Sequence, residues 1–180
     1  MIPAAKKYGT DSRIRLTVTA SMFAAMTCIA TMIIRIPTLV TNGYVNIGDT
    51  IVLLSAWLLA NPYGALAAGV GSLLADILSG YASYAPATFV IKFVMAFVCA
   101  FSFKKMSKGR MPVFASYIIT GVIAELIMIA GYFLYESTVL GYGLAAAASL
   151  ISNAVQAVVC ILLANVLIHI LPKVLKGKTA

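Results

Sequence analysis

The sequence predicts an all-α polytopic membrane protein, a single bundle of six transmembrane helices with both termini in the cytoplasm. Three observations predict it: the apolar share, the scarcity of charge, and where the few charges fall. Of 180 residues, 62% are hydrophobic and only 10% charged, with a mean hydropathy of +1.02. Soluble domains carry about 25% charged residues, because a core must be coated with water-compatible surface. A chain this apolar cannot coat itself, so lipid supplies much of its solvent. One span needs about 20 apolar residues. The length therefore holds six closely connected helices as one domain, residues 1–180, with no room for a soluble domain beside them.

The formal net charge of +8 invites a nucleic-acid reading, but the basic residues sit in short clusters between apolar runs. That is the pattern of topology signals. Cys28, Cys99 and Cys160 each lie inside an apolar run, at spacings that match neither a disulfide framework nor a metal site. The basic N-terminal stretch and the first apolar run resemble a signal peptide. The run is too long for one and no clear cleavage site follows, so it reads as a helix.

The first helix is expected over residues 14–36, stopping before Pro37, with a turn at Asn42-Gly43 in the loop that follows. The second, residues 48–60, closes at Asn61-Pro62, and Pro62 suits the first turn of a third over 63–78. Pro86 opens a fourth over 86–103, and Pro112 a fifth over 112–135. A loop at 136–143 leads to a sixth over 144–171, ended by Pro172. The second and third are short for a hydrocarbon layer about 30 Å thick. Either they pack against other helices or the bilayer thins there. No sustained apolar/polar alternation of the barrel kind occurs.

Orientation follows from the basic residues. Lys6, Lys7, Arg13, Arg15, Lys104, Lys105, Lys108, Arg110, Lys173, Lys176 and Lys178 fall on one side, and Arg35 alone near the other. Positive loops stay in the cytoplasm. The loops at 37–47, 79–85 and 136–143 then face outward. Tyr44, Tyr81, Tyr84, Tyr132, Tyr135 and Tyr142 gather on that outer side, while Trp57 and Tyr63 mark the inner one. An interfacial belt predicts tyrosines near both surfaces. A stacking pocket for a ring-shaped ligand accounts for the outer excess, as chance also does.

Several polar residues lie where a membrane should exclude them. Asp49 and Asp76 sit at outer helix ends. Asp49 suits helix capping; Asp76, in the last turns of its helix, calls for a partner. Lys92 lies about 9 Å below the start of its helix and Glu125 about 15 Å below the outer end of its own. Insertion scales put the cost of one such charge near ~3 kcal/mol. Such residues persist when they pair, here as a Lys92–Glu125 ion pair, or when they line a wet cavity; Lys92 can also snorkel. On the sixth helix Ser149, Asn153, Gln156 and Cys160 share one face. Amides there either hydrogen-bond across helices or contribute to a pocket. Helices four, five and six all bring polar groups to the outer half, and a solute pocket open to the outside is the simplest common cause.

Small residues mark the earlier helices. Ala20, Ala24 and Cys28 step at four residues on the first, as do Ser21 and Ala25, and Gly64, Ala67, Ala68, Gly71 and Ala75 stripe the third. Such spacing lets helices approach closely. On the first helix it serves internal packing or a docking surface for another membrane subunit. There is no Gly-x-x-x-x-Gly-Lys phosphate loop. His169 has no nucleophile or metal-ligand companion at useful spacing and reads as an interfacial residue. The two-fold repeat common in secondary transporters is missing.

Four segments carry a resemblance. Tyr44-Val-Asn-Ile-Gly-Asp49, Asn61-Pro-Tyr-Gly-Ala65, Gly69-Val-Gly-Ser-Leu-Leu-Ala-Asp76 and Tyr84-Ala-Pro-Ala-Thr-Phe-Val-Ile-Lys92 resemble an S component of the energy-coupling factor (ECF) vitamin transporters. The likeness covers residues 20–103 in register, and the later helices agree in number and polarity. It implies a substrate-binding subunit in the bacterial cell membrane. Its partners would be a transmembrane coupling subunit and two cytoplasmic ATPase subunits. ATP would be used by those partners, with no cofactor in this chain. It implies a pocket in the outer halves of the later helices, with the loop after the first helix as its lid. Ala20 and Ala24 match the family's docking motif. The sequence is most similar to the vitamin B6 or hydroxymethylpyrimidine branch, often labelled riboflavin-type.

The substrate-binding candidates are therefore Tyr44, Asn46, Asp49, Asp76, Tyr84, Thr88, Lys92, Glu125, Asn153 and Gln156. No catalytic or metal-ligating residues are expected. An intramembrane enzyme would need a nucleophile–base or metal set, which the sequence lacks. An ion-coupled carrier would use Lys92 and Glu125 as its switch and would transport without partners.

Overall fold

The computed structural model describes residues 10–37, 44–59, 61–109 and 111–176. The Asn42-Gly43 turn and the basic residues Lys6, Lys7, Arg110 and Lys178 lie outside the described residues. Six α-helices follow one another: α1 (Thr10–Ile33), α2 (Gly48–Leu58), α3 (Tyr63–Leu78), α4 (Ala85–Met106), α5 (Val113–Leu134) and α6 (Ala148–Lys176). The helices α1, α4, α5 and α6 are long and apolar enough to cross a membrane, while α2 and α3 are shorter apolar helices.

The short α2 has a packing explanation. It touches every other helix of the bundle, and all but the last of its residues are buried. A helix enclosed by protein has no need to match the bilayer in length. Its apolar face packs with α4 and α5 through Leu53, Met95, Ala96 and Met128, all with no exposed surface. Trp57 belongs to this core, correcting its expected place in an inner aromatic belt. It is 5% exposed, and its ring N–H donates to Thr120 Oγ1 at 3.1 Å.

Three element boundaries differ from expectation. α1 ends at Ile33, and Arg35–Pro37 (β1) pairs antiparallel with Tyr44–Asn46 (β2). Three-residue strands carry no periodicity that a sequence can reveal. α5 runs on into a π-helical turn, Tyr135–Val139, so Glu136 lies on a helix and not in a loop. α6 passes through Pro172 to Lys176, preceded by a 3₁₀ turn at Gly143–Ala147.

The small-residue stripes bring α1 and α3 together. Ala20 packs with Leu59 and Ala67, and a Cβ added at Gly71 would lie 2.4 Å from the carbonyl oxygen of Ala24. The expected docking pair Ala20 and Ala24 therefore faces α3 of the same chain. Exposed Ser21 and Ala25 lie on the outward flank of α1.

Candidate functional site: a polar cavity under the β-hairpin

Helical spacing brings the site residues to one end of the bundle. On α4, Thr88 and Lys92 are one turn apart and both buried, and Tyr84 caps the same face. On α6, Ser149, Asn153, Gln156 and Cys160 are all buried, so the polar face read from spacing points inward. α3 ends at Ser79 and Gly80, whose φ of +85° suits glycine; the chain then turns back so that the Tyr81 N–H bonds the Asp76 carbonyl at 2.8 Å. The β-hairpin covers this end with Tyr44 and Asn46.

A small cavity of about 30 Å³ lies beneath the hairpin. It is lined by the expected Tyr44, Asn46, Asp76, Tyr84, Thr88 and Lys92, together with Asn153 and Gln156 of α6. Thr31, Ser72, Tyr132, Glu136 and Ser149 line it too, beyond the site residues expected from sequence. Tyr132 and Ser149 carried a signal, as an outer aromatic and as part of the polar face of α6. Glu136 stands four residues after Tyr132, a spacing that becomes meaningful only once the helix is known to continue.

Asp49 lies behind the cavity wall and organises it. Its Oδ1 is 2.5 Å from Lys92 Nζ, and its Oδ2 accepts from Gln156 Nε2 at 2.5 Å. Gln156 Oε1 in turn accepts the Asn46 backbone N–H at 2.7 Å, which ties the hairpin to the buried ion pair. Asp49 is thus not a capping residue; no side chain caps α2 at its preceding position. Instead Asn46 Oδ1 accepts the Gly48 N–H at 2.7 Å and so turns the chain into α2.

Lys92 does not pair with Glu125, one of the alternatives the sequence left open; its partner is Asp49. Glu125 is 2% exposed, and neither carboxylate oxygen has a hydrogen-bond partner among the described residues. It lies within Coulomb range of Asp49 and Lys92 but does not line the cavity.

The two acids that line the cavity receive neutral donors. Tyr44 Oη donates to Asp76 Oδ1 at 2.5 Å. Burial and the neighbouring Asp76 charge push the Tyr44 phenol well above its ordinary pKa, so it keeps its proton. Asp76 Oδ2 has no hydrogen-bond partner among the described residues. Thr88 stands close enough to act on that carboxylate, while its hydroxyl is 3.0 Å from Tyr132 Oη. Glu136 accepts from Tyr84 Oη at 3.2 Å and from Ser149 Oγ at 2.5 Å. The tyrosine rings cluster above, with Tyr44 and Tyr81 centroids 4.5 Å apart and Tyr84 and Tyr135 5.7 Å apart.

Aromatic faces, carboxylates and amides converge on one space beneath the hairpin. Residues 12–173 match the family model of the ECF-type riboflavin transporter S component. The chain is an ECF transporter S component. Its fold agrees with a solved S component of a bacterial ECF transporter, whose structure and mechanism have been described. The TM-score is 0.66 over 91% of this chain and 99% of the other, at 18% identity. An uncharacterised protein of Pyrococcus woesei is 34% identical over 145 residues, 81% of this chain and 93% of the relative. The S component is thus a membrane-embedded transport subunit, and its partners are the membrane and ATPase subunits of an ECF module.

Proposed function

We propose that this S component captures a small water-soluble vitamin from outside the cell, in the cavity beneath the hairpin, for ATP-driven import. The observation that carries the reading is the convergence of aromatic and polar side chains from the hairpin and five surrounding helices on one cavity. Pyridoxine or hydroxymethylpyrimidine is the substrate we favour, because a single ring with hydroxyl groups offers one face for Tyr84 or Tyr44 and polar edges for the surrounding side chains. The family description favours riboflavin as the second reading. Ligand pockets hold about 300–1,000 Å³, so a cavity of about 30 Å³ calls for movement of the hairpin before any vitamin enters.

In this reading all six helices lie in the bacterial plasma membrane, with the cluster Lys104–Lys108 and both termini inside. A transmembrane coupling subunit and two ATPases complete the transporter, ATP is hydrolysed by those partners, and this chain needs no cofactor. With Ala20 and Ala24 packed on α3, the exposed flank of α1 at Ser21 and Ala25 is the side the coupling subunit would meet.

Native mass spectrometry of the purified protein tests the ligand, with a retained mass matching a vitamin as the expected result. Uptake by the reconstituted complex should require ATP. Uptake by this chain alone, driven by an ion gradient, would instead make it a stand-alone carrier.

A further inference from the structure

We infer that the cavity selects an organic cation, a small nitrogen heterocycle or amine bearing positive charge, held between Asp76 and Glu136 against the tyrosine rings. The inference rests on reading this cavity as the vitamin site and, within the vitamin B6 group, moves the preference from pyridoxine to its charged amine.

The charges around the cavity carry the argument. Two carboxylates line it, Asp76 and Glu136, each 3% exposed. One cation lines it, Lys92, and Asp49 already holds that cation at 2.5 Å. Arg35, exposed on the hairpin, acts on Tyr44 from the rim. No salt bridge joins Asp76 or Glu136 to a basic side chain among the described residues. Asp76 and Glu136 are therefore two buried acids in the cavity wall that no basic side chain pairs among the described residues.

The hydrogen bonds point the same way. A carboxylate offers about four lone-pair sites. Asp76 receives Tyr44 on one oxygen and leaves the other without a partner. Glu136 receives two neutral hydroxyls. Burying a carboxylate without a cation is costly, and a ligand that brings the positive charge offsets that cost on binding. A neutral ligand supplies hydrogen bonds but no charge. The rings suit a cation as well: Lys92 Nζ already sits 5.3 Å from the Tyr132 ring centroid, within cation–π range, and Tyr84 lies 6.5 Å from the same ring.

Pyridoxamine and pyridoxine share one ring and differ by an aminomethyl in place of a hydroxymethyl group, so the pair isolates the charge. Calorimetry on the purified protein in lipid nanodiscs, at neutral pH, should find pyridoxamine bound about tenfold tighter or more, the yield of one charged hydrogen bond. In Asp76→Asn and in Glu136→Gln that preference should fall by about tenfold. If pyridoxine or riboflavin binds as tightly as pyridoxamine, the inference is overturned and the vitamin reading stands. If the preference survives in both variants, the assignment to these carboxylates is overturned. If none of the three compounds binds monodisperse protein, the inference and the reading beneath it fall together. A variant that does not fold leaves the comparison of the two ring compounds on the unaltered protein to decide.

Discussion

Lys92 Nζ meets Asp49 Oδ1 at 2.5 Å, inside the bundle and with both side chains almost wholly buried. The contact joins α4 to α2, and through Gln156 it reaches α6 and the hairpin. Removing one partner of a buried pair strands the other and costs about 3–5 kcal/mol. Lys92→Met should therefore lower thermal stability in detergent strongly, and adding Asp49→Asn should restore much of it. Adding Glu125→Gln instead should restore little. Equal rescue by both would mean the pairing is shared.

Gly71 is where α3 meets α1. An alanine there would gain about 1 kcal/mol of helix propensity. Its Cβ, however, would lie 2.4 Å from the Ala24 carbonyl oxygen, and backbone cannot yield cheaply. Overpacking of this kind costs about 1–3 kcal/mol, so Gly71→Ala should reduce stability. Gly121→Ala, whose nearest contact would be 3.4 Å, should be neutral or slightly stabilising in the same thermal assay.

Tyr44 holds the hairpin closed through Asp76. Tyr44→Phe keeps the ring and removes the tether, so amide exchange at residues 44–46 should accelerate about tenfold or more, as for a lost charged hydrogen bond. The phenol's raised pKa means the tether is present at neutral pH and is lost only as pH climbs past the ordinary tyrosine value of about 10. Exchange protection, corrected for intrinsic rates, should therefore stay constant up to about pH 9. A loss of protection near neutral pH would assign the tether to another group.

Topology is open to direct labelling. Cysteines placed at Lys108 and at Ser83 should react from opposite sides of sealed cells, Ser83 from outside. The native Cys28, Cys99 and Cys160 are buried and should contribute little background. Labelling of both sites from one side would refute the six-span orientation.

The sequence by itself determined the membrane class, the helix order and the inward face of α6. Those features rest on composition and on helical spacing, which are local properties of the chain. It also marked Tyr44, Asp76, Tyr84, Thr88 and Lys92 as belonging together, through motif resemblance. Only the tertiary structure decided who pairs with whom. Lys92 has three acids within Coulomb range, Asp49, Asp76 and Glu125, and spacing along separate helices cannot rank them. The choice depends on how α2 is inserted among the other helices. The same holds for Ala20 and Ala24, which suit a partner subunit or a neighbouring helix equally well until α3 is seen against them. Glu136 was hidden for a related reason: a π-helical turn carries α5 past its predicted end and aims a nominal loop residue into the cavity. Pairing, helix continuation and burial depend on contacts between residues far apart in sequence, and those exist only after the helices have packed.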